Sequence, residues 1–100
     1  MATTIGVARL TLYLEATFSL KDKRQIVRSL TNKMRNQFNA AVAETADLND
    51  PRVATIVAVV VSNSAPHADE MLAAIIRFAE ARLETGVLGD IETELIPYGD

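Results

Sequence analysis

The sequence predicts an α+β fold of order βαββαβ, a four-stranded antiparallel sheet with two helices on one face. Three observations carry that prediction. Residues 5–15 alternate apolar and polar, two later segments repeat their apolar residues at helical spacing behind a serine, and 53–63 is apolar on both faces. Such an order consists of two split βαβ halves, the ferredoxin-like arrangement, with the first and third strands in the middle of the sheet.

The first strand is IGVARLTLYLE, 5–15. Leu10, Leu12 and Leu14 share one face with Gly6 and Ala8, and Val7, Arg9, Thr11 and Tyr13 share the other. The first helix, SLKDKRQIVRSLTNKMR, covers 19–35. Ile26, Val27, Leu30 and Met34 form its apolar stripe, with Lys21, Arg24, Arg28 and Arg35 on the opposite side. Ser19 is the expected N-cap, its hydroxyl accepting an orphan backbone N–H, and Asp22 favours the positive end of the dipole. Leu20 and Phe18 are expected to pin the entry of the chain. Lys23 falls on the apolar side by angle, so its stem is expected to lie over the sheet edge with the ammonium in water.

FNAAVAET, 38–45, reads as a shorter second strand, and ADLNDP, 46–51, as a hairpin connection longer than a tight turn. VATIVAVVVSN, 53–63, is β-branched and apolar throughout, as a covered central strand is. Ser64 then caps a second helix with Pro66 in its first turn. Leu72, Ile75, Ile76, Ala79 and Leu83 make its inward stripe, Gly86 stops it, and Gly89 is read as completing the turn. DIETELI, 90–96, alternates as the last strand, with Glu92 and Glu94 on one face.

One hundred residues with 49% apolar content are expected to make one domain spanning 1–100. The longest apolar run is far short of the roughly 20 residues a membrane helix requires. MATTIGVARL has no charged leader before an apolar segment, so no secretory signal is expected. The absence of cysteine excludes disulfides, thiolate metal sites and Cys nucleophiles, and fits a cytoplasmic location. The formal charge is −3, so any affinity for an anion must be local.

That local charge sits on the first helix. Lys21, Lys23, Arg24, Arg28, Lys33 and Arg35 are six of the ten basic residues, against the single acid Asp22. A row of cations of this length can bridge several phosphates, and these six are the candidate nucleic-acid-binding residues. The plainer alternative is a solvated helix face. The open face of the sheet offers a second candidate surface. Val7 and Tyr13 would meet either Val57, Val59 and Val61 or Ile56, Ala58 and Val60, and either register leaves an apolar patch facing out. Val7, Tyr13, Val57, Val59 and Val61 are accordingly the expected homo-oligomer interface, with Arg9 able to pair with Glu92 or Glu94. Base stacking on this face is not expected, because the third strand supplies no aromatic partner for Tyr13.

Catalysis is not expected. EATFSLKDKR lacks the glycine of an acylphosphatase-like phosphate cradle, and no Gly-rich nucleotide loop occurs. His67 stands alone at a helix start. Asp47 and Asp50 lack the spacing of a calcium loop. No metal or cofactor is expected.

At SLKDKR followed by QIVRSL, with FNAAVAE and PHADEMLAAIIRFAE, the chain resembles the YlxP-like family of small bacterial proteins of unknown function. Members usually read His-Ser-Leu-Lys where this chain has Phe18, and carry a tryptophan where it reads ADLNDPR. The resemblance implies a ferredoxin-like fold. It also implies a ribosome-linked role in contact with RNA, because genes of the family often neighbour those for translation initiation and ribosome maturation factors. With no catalysis expected from the residues, the leading reading is a non-enzymatic accessory protein that contacts structured RNA. The alternative reading is a structural or regulatory homo-oligomer that binds a protein partner or a small ligand.

Overall fold

The computed structural model describes residues 3–15 and 19–99. Its elements are β1 (Thr3–Tyr13), α1 (Leu20–Gln37), β2 (Ala41–Ala46), β3 (Val53–Ser62), α2 (Ala65–Arg82) and β4 (Val87–Tyr98). The strands form one antiparallel sheet in the order β2-β3-β1-β4, so β1 and β3 are central, as a ferredoxin-like chain requires.

Register decides which residues meet the helices. Leu10 lies opposite Ile56, Ala8 opposite Ala58 and Leu12 opposite Ala54, and all six are buried. Val27, Leu30 and Met34 of α1, with Ala68, Leu72, Ile75 and Ala79 of α2, complete the core above them. The choice the sequence left open on β3 falls to Ile56, Ala58 and Val60 inward. Val57, Val59 and Val61 therefore share the open face with Val7 and Tyr13.

Both helices begin as their caps dictate. Ser19 Oγ accepts the Asp22 backbone N–H at 3.1 Å, and Ser64 Oγ accepts that of His67 at 3.3 Å. Phe18 lies outside the described residues. α1 continues two residues further than its last basic residue, and Phe38 is its C-cap rather than the start of a strand. The Phe38 ring meets Phe78 edge to face at 5.3 Å, which ties the end of α1 to α2.

Two glycines set the course of the chain after α2. Gly86 has φ +152°, and a Cβ there would lie 2.3 Å from the Tyr13 carbonyl oxygen. Gly89 does not complete a turn as the sequence suggested, because β4 already starts at Val87. It lies inside the strand, where Gly89 and Asp90 together oppose Thr11 in a bulge. The Tyr13 ring lies against Gly89, and a Cβ would stand 2.2 Å from its Cε2 atom. Aromatic cover of a strand glycine replaces the packing the missing side chain cannot give.

Candidate nucleic-acid interface

The cations of α1 divide into three groups. Lys21, Arg24 and Arg28 are exposed, and none of their side chains is hydrogen-bonded or ion-paired to a described residue. They follow one side of the helix over about 10 Å at ~1.5 Å per residue. Arg24 and Arg28 also line a groove of about 390 Å³ against the β2 edge, with Thr31, Asn32, Arg35 and Glu44.

Arg35 belongs to the same groove, but its guanidinium is engaged. Nε and Nη2 donate to the Val42 carbonyl at 3.1 and 2.7 Å, and Nη1 donates to Asn32 Oδ1 at 2.8 Å. Because β2 is an edge strand, that carbonyl points away from the sheet, and the planar fork of arginine suits it as a single ammonium would not. Lys33 is exposed on the other flank of α1, in a groove of about 250 Å³ that it shares with Arg82 at the end of α2. Arg82 was not among the residues the sequence singled out. Its guanidinium carbon stands 4.4 Å from the Phe78 ring centroid.

Lys23 requires a correction. It is 0% exposed, and its ammonium does not reach water. Nζ donates to the carbonyl of Asp47, to that of Asp50 at 2.7 Å and to that of Val53 at 2.8 Å. Glu44 Oε2 lies 2.9 Å from the same nitrogen. The ammonium has three N–H groups and all three face carbonyls, so Glu44 acts as a charge and not as a hydrogen-bond acceptor. This agrees with the buried Glu44 Oε2 receiving no hydrogen bond from a described residue. Lys23 is thus closed to any nucleic acid, and it fixes the β2–β3 connection to α1. A local signal did exist: Glu44 follows Val42 on the inward face of β2, so each of two facing elements carried one opposite charge at a core position.

The remaining candidates serve the same connection or stand apart. Asp47, at φ +59°, accepts the Thr55 hydroxyl on Oδ2 at 2.6 Å, and Asp50 Oδ1 accepts the Arg52 backbone N–H at 2.9 Å. Their carboxylates therefore shape the loop. His67 is exposed in the first turn of α2. Among the described residues no group of three or more His, Asp or Glu is arranged to hold a metal ion, and no helix is long and apolar enough to cross a membrane.

The molecule is electrically lopsided. β4, at the far edge from α1, carries Asp90, Glu92 and Glu94 and no lysine or arginine.

A family model described as a protein of unknown function, DUF503, matches residues 5–91. No curated protein matches. Among solved structures, the chain is similar to the de novo designed protein Foldit4, with TM-score 0.54 and 10% identity over 94% of this chain and 96% of that one. It is also similar to a mutant of SnoaB, a cofactor-independent oxygenase from Streptomyces nogalater, with TM-score 0.45 and 14% identity over 94% and 90%. A dimeric ferredoxin-like protein of unknown function from Thermobifida fusca gives TM-score 0.44 and 12% identity over 94% and 92%. At these identities the likeness concerns the fold alone.

Proposed function

The chain belongs to the DUF503 family of proteins of unknown function, and from the charge on its first helix we propose that it contacts structured RNA there as a non-enzymatic accessory protein. The SLKDKR string further points to the YlxP-like members, and with them to a ribosomal particle as the RNA and the cytoplasm as the place of action. One observation carries the reading: Lys21, Arg24 and Arg28 stand exposed in a row, and among the described residues no carboxylate is ion-paired to any of them. An uncommitted row of cations gains most from phosphates, because binding releases their condensed counterions. α1 itself contains no aromatic residue for a base to stack on, so the contact follows the backbone and shape of a folded RNA.

The test is cosedimentation with ribosomal particles over a salt series. Wild type pellets at low salt and is released as salt rises. The Lys21→Glu/Arg24→Glu/Arg28→Glu variant pellets less at every salt concentration, and its log–log salt slope is shallower by about 2 to 3. A wild type that never pellets, or a variant that pellets equally, removes the proposal.

A further inference from the structure

Both edges of the sheet are closed to a further strand. On β2, the outward Val42 carbonyl is occupied by Arg35. On β4, the bulge at Gly89 and Asp90 breaks the ladder, Pro97 supplies no N–H, and Glu92 and Glu94 repel a like strand. The open face is left, and it is not evenly composed. Ile5, Val7, Val57, Val59 and Val61 cover its middle, with Val61 64% exposed, and Ile96 lies beside Ile5. Its charged residues adjoin that patch: Arg9 on central β1 between Val57 and Glu92, and Glu94 on β4 beside Val7. Arg9 is the one cation on this face of the described strands.

We propose that a second copy of this chain covers the open face, packed face to face about a two-fold axis that sets Arg9 against Glu94 of the partner subunit. A two-fold interface is self-complementary, so a single cation and a neighbouring acid on one patch generate two ion pairs across it. The carboxylates and the lack of paired aromatics exclude nucleic acid from the same surface. The size is adequate. Four strands ~4.8 Å apart and eight steps of ~3.4 Å give roughly 500 Å² per copy, about 1,000 Å² for the pair, where specific interfaces begin. The axis leaves each α1 on the outside of the dimer, because the helices cover the opposite face of each sheet.

Light scattering on the purified chain at tens of micromolar tests this, with circular dichroism as the check on folding. Wild type shows twice the chain mass. Val59→Lys, at a half-buried position on the open face, shows the monomer mass with an unchanged spectrum. Arg9→Glu and Glu94→Arg each weaken the dimer tenfold or more, since each places like charges across the axis. Mixing those two variants restores dimers, because each then meets its opposite. A monomeric wild type, an unaltered Val59→Lys dimer, or a mixture no more associated than its parts overturns the proposal. So does a ladder of open-ended species, which would mean pairing through the edges.

Discussion

The Lys23 ammonium and the Glu44 carboxylate stand 2.9 Å apart, joining the second turn of α1 to the inward face of β2. Lys23 is buried and Glu44 only 17% exposed, and the carbonyls of Asp47, Asp50 and Val53 take the donors of the ammonium. Removing one partner strands the other. Lys23→Met is expected to lower the unfolding free energy by about 3 to 5 kcal/mol, measured by urea denaturation. Lys23→Met/Glu44→Leu should regain part of that loss. Recovery stays incomplete, because three carbonyls still lack a donor. A single-variant loss under about 1 kcal/mol would mean the cage contributes little.

Gly86 and Gly89 both adjoin Tyr13 but should respond differently to alanine. At Gly86 the obstacle is backbone, the Tyr13 carbonyl, and φ is +152°. Gly86→Ala should cost about 2 kcal/mol or more in the same denaturation experiment. At Gly89 the obstacle is the Tyr13 ring, which can swing away. Gly89→Ala should cost less, and in a Tyr13→Ala background its cost should vanish. Equal losses at the two glycines, unaffected by Tyr13, would refute this account of β4.

Arg35 separates stability from binding. Arg35→Ala strips the donors from the Val42 carbonyl and from Asn32, and should lower stability by about 1 to 2 kcal/mol. Its freed edge should also raise the rate of aggregation on stirring, read by turbidity. Pelleting with ribosomal particles should persist for Arg35→Ala and weaken for Arg28→Ala. The reverse order would transfer the binding role to Arg35.

The cap serines offer a matched pair. Ser19→Ala and Ser64→Ala each remove one acceptor for a first-turn N–H, and each should cost about 1 kcal/mol by thermal melting. No change at either position would mean water replaces the hydroxyl there.

The order of elements and both caps were legible because they rest on local signals, namely alternation, helical spacing and serine at a boundary. The outward face of β3 was not, since valine, isoleucine and alanine occupy both sides of it. Only its pairing with β1, Val7 opposite Val59, determines which side the helices cover. The basic character of α1 was visible at once, but the roles of its cations were not. Whether a lysine on the apolar stripe reaches water depends on what the fold brings over it. Here that is a loop 24 to 30 residues away in sequence. The engagement of Arg35 was hidden for a similar reason, because one of its partners is a strand carbonyl with no signature in the residue string. Gly89 looked like turn punctuation until the position of the Tyr13 ring gave it another purpose.

The lysine cage has a consequence for how the chain meets a protease. By composition, ADLNDPR is where a nick would be expected first, and Leu48 and Arg52 are exposed there. With its carbonyls gripped from the helix below, that connection cannot be drawn out into an extended substrate on its own. Cleavage after Arg52 therefore has to wait for the core to open, and its rate should follow global unfolding rather than a local flutter of the hairpin.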